Sequence, residues 1–246
     1  MTIFRCGHGT HVGNVRADNE DNYAVDVEVG FCVLADGMGG HAAGEVASQI
    51  VVDSVSADIN KGKLMADALV NAHQTVLEAV GNAKGRKGMG STAVALKFDA
   101  EKYEIAWVGD SRAYCWDGEQ LVQVSQDHSL VQSMVDEGKI TAEEAIDHPH
   151  RNYLTQSMGM SKKNTMEVGH AEGDFYHHYQ FLLCSDGLTD EVTDAEITEI
   201  FKLEVSEQEK ADLLIRRAVD NGGSDNVTVV LFSAPDTAPD AILTNK

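Results

Sequence analysis

The sequence predicts an α+β fold in which antiparallel sheets carry helices on their outer faces. Three observations predict it. Strand-like apolar runs are joined by short turns, and short connections between consecutive strands require antiparallel pairing. Strands and helices come in clusters rather than in strict alternation, which favours antiparallel sheets with helices packed outside. Four helix starts carry a Ser/Thr-x-x-Glu/Gln box, whose side chains satisfy the free N–H groups of a first turn.

The elements follow in order. Two runs between Tyr23 and Asp36 flank Gly30 and read as a hairpin. From Ala43 to Ile59, apolar residues recur three and four apart, the spacing of one helix face, and residues 63–83 repeat the pattern. Strands are expected over 91–98, 103–110, 112–116 and 120–125. Beyond Asp127 helices return, with boxes at Ser129 and Gln132, Thr141 and Glu144, Thr193 and Glu196, and Ser206 and Glu209. Gly138 and Gly222 fall where helix C-caps belong. Residues 180–187 and 226–234 read as strands. Residues 140–159 are less regular, contain Pro149 and read as a mobile excursion beside a site rather than a core element. The expected division is a single domain over 1–235, its flap at about 140–159, and a loose tail over 236–246, at the end of a stretch (233–246) that holds two of the three prolines.

Composition bounds the function. A chain of 246 residues with 43% apolar content suits one large domain with a substantial core. No run of about 18 apolar residues is present, so no membrane span is expected. The first residues lack a basic region followed by an apolar stretch, so no signal peptide is expected. Cys6, Cys32, Cys115 and Cys184 have no metal-binding or redox spacing and read as reduced, mostly buried thiols. Together these features predict a soluble, cytoplasmic monomer. The net charge of −21 excludes a nucleic-acid surface, which needs clustered Lys and Arg. Forty acids leave two readings open, a solvated self-repelling surface or cation binding.

Positions separate these readings. Asp36, Asp110 and Asp186 each end an apolar strand beside Gly or Ser, and Asp225 precedes one. Glu20 and Asp21 form a fifth acidic spot before the first strand. One such Asp is ordinarily a turn former or cap. Five at sheet rims can converge, and converging carboxylates are costly unless cations compensate. An oxygen-only donor set favours hard ions, Mg²⁺ or Mn²⁺. The glycines after Asp36 then have a purpose. Without a Cβ at Gly37, a carbonyl can face an ion and substrate can approach.

The motifs "VRADNED", "LADGMGGHAAGEVAS", "MGSTAV", "WVGDSRAY", "DHS", "LLCSDGLTD" and "SDNVTVVL" stand in that order. The chain resembles the bacterial metal-dependent serine/threonine phosphatases of the 2C type over nearly its whole length. The resemblance implies a four-layer α-β-β-α sandwich with a binuclear Mn²⁺/Mg²⁺ centre at one end. By position, Asp36 would bridge both ions, and Asp186 and Asp225 would complete one of them. Glu20 and the Gly37 carbonyl would serve the other, with Asp21 holding a bound water. Asp110, with Asp186, resembles the third-ion position of bacterial members. Arg16 would grip the phosphoryl group, its planar fork matching two oxygens at once. Two ions about 3.5–4 Å apart would lower the pKa of a shared water towards neutrality, and the resulting hydroxide would attack phosphorus in line. The implied partners are phosphorylated proteins and a cognate Ser/Thr kinase.

One departure concerns the leaving group. Eukaryotic relatives place a His directly after Asp-Gly, whereas here that position is Met38, which has no proton to give. His41 is the nearest candidate acid, beside an ordinary hydrogen-bonding role and protonation by a bound water. Trp107, Trp116, Thr92 and Cys184 read as packing residues, and Arg112 as one half of a structural ion pair. Two other functions stand beside phosphoprotein hydrolysis: a fold relative that binds phosphoproteins without cleaving them, and a phosphatase of a small phosphate ester.

Overall fold

The computed structural model describes residues 4–39, 43–81, 88–99, 102–160 and 166–234. Two antiparallel sheets face each other. One runs, in spatial order, β1 (Arg5–His11), β11 (Val227–Ser233), β10 (Gln180–Cys184), β7 (Arg112–Trp116) and β8 (Leu121–Gln123). The other runs β2 (Asp21–Asp26), β3 (Phe31–Met38), β5 (Ala93–Asp99), β6 (Lys102–Val108) and β9 (Gly169–Asp174), with β4 (Gly90–Ser91) also paired to β3. Helices α1 (Ala43–Ile59) and α2 (Met65–Gly81) pack on the outer face of the second sheet. Helices α5 (Asp186–Thr189), α6 (Asp194–Phe201) and α7 (Glu207–Asn221) pack on the first. The expected four layers are present.

Period-two alternation along the strands builds the three interiors between those layers. In β5, Ala93 and Ala95 face α1 and α2, while Val94, Leu96 and Phe98 face the opposite sheet. In β11, Val229 and Leu231 face the helices, while Val230 and Phe232 point between the sheets. Strands covered on both faces read as unbroken apolar runs, which is why 226–234 was legible as a strand. The intersheet core centres on Phe98, whose ring lies 4.7 to 6.0 Å from those of Phe4, Phe175, Phe181 and Phe232.

The capping boxes at Thr141, Thr193 and Ser206 close in both directions, and the Ser129 hydroxyl accepts from the Gln132 N–H of α3 (Leu130–Asp136). Gly138 takes the left-handed conformation just past α3 (φ 69°). At the end of α7 Gly222 is the C-cap, its N–H donating to the Ala218 carbonyl, and Gly223 follows in the left-handed conformation (φ 57°). Residues 140–159 differ from expectation. They contain α4 (Ala142–Ile146), and their far end is a core element. Met158 is fully buried against α2 and β5, and its backbone pairs with Ser91. The expected tail over 236–246 lies outside the described residues. Among the described residues no helix is long and apolar enough to cross a membrane.

Candidate active site

Register brings the first acids together. Antiparallel pairing of β2 with β3 sets Asp21 opposite Asp36 at one end of the sandwich. Gly37 follows, and a Cβ there would meet the Gly44 carbonyl oxygen at 2.2 Å and the Glu20 carbonyl oxygen at 2.6 Å. Gly44 is equally tight, since its Cβ would meet the Gly37 carbonyl carbon at 2.6 Å. Gly37 and Gly44 therefore let the start of α1 close directly onto the end of β3. The Gly37 N–H donates to the Glu20 carbonyl (3.2 Å), and the Gly44 N–H donates to Glu20 Oε1 (3.2 Å). A carboxylate at a helix N-terminus is favoured by the unpaired N–H groups there.

Asp36 is held through its backbone. Its N–H donates to Thr92 Oγ1 (3.0 Å), and its carbonyl accepts from the Thr92 N–H (2.8 Å) and the Ser91 hydroxyl (2.9 Å). Thr92 Oγ1 also meets Ser111 Oγ at 2.7 Å, tying this strand end to the one that carries Asp110. Thr92 thus has the supporting role expected of it.

Asp21 is buried, 7% exposed. Its Oδ2 accepts from Ser185 Oγ (2.9 Å) and Thr228 Oγ1 (2.6 Å), hydroxyls contributed by the other sheet. Burial pushes this carboxyl up to about 6 against those two bonds, with Asp225 and Glu20 adding repulsion. Asp36 and Asp186 are both raised well above the usual carboxylate range, by burial first. Asp36 then feels Asp186, Asp21, Asp110 and Asp225, and Asp186 feels Asp110, Asp190, Asp225 and Asp21. Burial and then Asp127 push Asp110 up to about 7. Asp21, Asp36, Asp110, Asp186 and Asp225 are thus near enough for charge on one to disfavour charge on the others. Glu20 joins them through its bonds to Gly37 and Gly44.

Arg16 reaches the same rim. Its Nη2 donates to Asp225 Oδ2 at 2.5 Å, and Asp186 and Asp36 also act on its guanidinium. The side chain is 54% exposed, so the fork can engage a ligand arriving from solvent. His41 lies outside the described residues. Met38 stands instead at a cleft of about 400 Å³, lined by Leu154, Thr155, Gln156 and Met160 of the flap.

Supporting residues that the sequence reading did not single out complete the site. Asn226 accepts from the Glu20 N–H (2.8 Å) and donates to the carbonyls of Val12 (2.9 Å) and Asp18 (3.0 Å), pinning the segment that carries Arg16. The "SDN" motif contained this residue, but its partners are more than 200 positions away. Asp127 takes a forked pair from Arg112, at 3.0 and 3.1 Å from Nε and 2.7 Å from Nη2. This pair gives Arg112 the structural role expected of it. Arg151 donates to Asp190 at 3.3 Å, tying the flap to the C-cap of α5.

The donors fit hard cations. They are all oxygens, Asp186 Oδ1 is buried without a hydrogen-bond partner, and the repulsion among the carboxylates is what a bound cation would relieve. In their present rotamers, no group of three or more His, Cys, Asp and Glu among the described residues is gathered closely enough to hold an ion. With Arg16 on Asp225 and like charges opposed, the carboxylates stand as neighbours rather than as a closed coordination sphere.

A model of the protein phosphatase 2C family matches residues 9–214. The serine/threonine protein phosphatase PstP of Mycobacterium tuberculosis is 41% identical over 243 residues, 95% of this chain but 46% of that protein. The chain thus spans about half the length of that relative. The serine/threonine phosphatase stp of Listeria innocua is 37% identical over 235 residues, 90% of this chain and 92% of that protein. The crystal structure of the catalytic domain of PstP in complex with two manganese ions superposes with a TM-score of 0.85 at 33% identity, over 96% of this chain and 100% of that one. The chain belongs to the protein phosphatase 2C family.

Proposed function

We infer that this chain is a metal-dependent protein serine/threonine phosphatase that hydrolyses phosphoserine and phosphothreonine, reversing a bacterial Ser/Thr kinase. One observation carries the reading: five aspartates from separate strand ends act on one another at a single rim, with an exposed guanidinium beside them. The names of the relatives support the substrate class.

Divalent ions held at this rim, Mn²⁺ or Mg²⁺, would supply Lewis-acid activation of water and neutralise charge on the phosphoryl oxygens. We assign Asp36 to both ions of a pair, Asp186 and Asp225 to one, and Glu20 with the Gly37 carbonyl to the other. Asp110, with Asp186, is assigned to a third. Asp21 holds a water, its second oxygen already fixed by Ser185 and Thr228. Arg16 orients the phosphoryl group through its planar fork and moves off Asp225 to do so. The proton for the departing seryl or threonyl oxygen is assigned to His41. We place the protein in cytoplasmic phosphorylation signalling, acting as a monomer.

The test is hydrolysis of an aryl phosphate and of a phosphothreonine peptide, with Mn²⁺ and then with chelator. Ion-dependent turnover of both is expected. Measured Mn²⁺ binding with no turnover of either would mark a phosphoprotein-binding module instead. Turnover of the aryl ester alone would mark a phosphatase of small esters.

A further inference from the structure

His128 sits where three parts of the site meet. Its backbone N–H donates to the Gly109 carbonyl (2.9 Å), and its ring Nδ1 accepts from the Gly109 N–H (3.2 Å). Both backbone polar groups of Gly109 are therefore held by one residue. Gly109 directly precedes Asp110. It takes a left-handed conformation (φ 106°), and a Cβ there would meet Thr92 Cγ2 at 2.6 Å. On its other side Asp110 is fixed by the contact of Ser111 with Thr92. The ring of His128 lies 6.4 Å from that of Trp107, whose indole N–H donates to the Gln126 carbonyl (2.7 Å) and secures the approach to His128.

The third direction is the flap. The His128 carbonyl accepts from the Thr155 N–H (2.8 Å), and the Leu130 N–H donates to the Tyr153 carbonyl (2.7 Å). Thr155 and Leu154 form a wall of the cleft beside Met38. The chain from Asp110 to this wall thus runs through one side chain and its own backbone, with no water or flexible link needed between them.

We propose that His128 is a positioning residue that holds the Asp110 carboxylate and the Thr155 wall of the substrate cleft as one unit. The inference rests on the phosphatase reading and names a further residue for it. A small aryl ester needs only the acids and Arg16. A phosphopeptide also lies along the flap wall, so releasing the junction penalises the peptide more. Loss of the ring frees the Gly109 N–H from its acceptor and leaves only the bond from the His128 N–H to the Gly109 carbonyl between Asp110 and the Thr155 wall, so the coupling of the two weakens.

The test compares the wild type, His128→Ala and His128→Asn, whose amide oxygen stands two bonds from Cβ as Nδ1 does. In the metal-free wild type, the Gly109 and Thr155 amides should exchange hydrogen with a common opening rate. His128→Ala should speed exchange at both and lower kcat/KM on the phosphothreonine peptide about tenfold more than on aryl phosphate. His128→Asn should restore exchange rates and the substrate ratio. Unlinked opening of the two amides in the wild type, an unchanged substrate ratio in a folded His128→Ala protein, or no rescue by Asn would overturn the proposal. If His128→Ala does not fold, wild-type exchange and the His128→Asn ratio decide it. A wild type inert on both substrates would overturn the phosphatase reading, and the exchange result would still decide whether the junction exists.

Discussion

Metal-free protein should lose stability as pH rises from 5 to 8, because the rim must then hold charges that burial disfavours. Asp21 titrates at about 6 in the folded chain against an ordinary 3.8. At 1.36 kcal/mol per tenfold change in proton affinity, keeping it ionised costs the folded state about 3 kcal/mol. The sign follows from the direction of the shift. Below 3.8 the group is protonated folded and unfolded, and the penalty is absent. It grows between 3.8 and about 6 and is complete above, so stability is lost as pH rises through the folded value. Asp110, at about 7, acts in the same direction and extends the window upward. More than half of that penalty is already present at pH 5, so between pH 5 and 8 Asp21 contributes about 1.4 kcal/mol, roughly 3–6 °C in Tm for a domain of this size. The assay is thermal unfolding in chelator at pH 5, 6, 7 and 8, on the wild type and Asp21→Asn, which keeps an acceptor for Ser185 and Thr228. The wild type should melt lower at pH 8 than at pH 5, and Asp21→Asn should remove part of that slope. Mn²⁺ should stabilise increasingly with pH, because a ligating carboxylate must be deprotonated. A metal-free Tm that is level or rising across this range, or an Asp21→Asn slope equal to the wild type's, would refute the reasoning.

Arg16→Ala should lower kcat/KM on phosphopeptide about 10- to 100-fold, the value of a lost charge-assisted pair, while calorimetry still detects ion binding. Asp110→Asn should slow turnover with two ions still bound, read by Mn²⁺ stoichiometry beside activity. His41→Ala should reduce turnover of phosphopeptide but not of aryl phosphate, whose leaving group needs no proton. Met158→Ala, in a fully buried side chain, should cost about 2–5 kcal/mol in denaturant unfolding, since it opens a cavity where the flap is anchored.

The sequence made the doubly covered strands and the long helices legible, because their patterns are local. Two edge strands, β1 and β9, were missed for a physical reason. "RCGHGTH" and "GHAEGD" are mostly exposed or half-exposed, carry Gly and His, and owe their strand form to the neighbours they pair with. Residues 140–159 read as mobile because their pattern is irregular and contains Pro149, and only the fold shows that Met158 joins the core cluster with α2 residues. The acids at strand ends were visible as a repeated pattern. Their supports were not, since Ser185 and Thr228 become partners of Asp21 only when two sheets are stacked face to face. Asn226 and His128 likewise act through backbone groups that no spacing rule connects.

The account depends on cations entering the acidic rim, and anomalous diffraction at the manganese edge from crystals grown in Mn²⁺ tests this most directly. It predicts at least two peaks within coordination distance of Asp36, Asp186 and Asp225, with Arg16 turned away from Asp225. Strong diffraction in saturating Mn²⁺ with no anomalous density at the rim, and Arg16 still seated on Asp225, would contradict it.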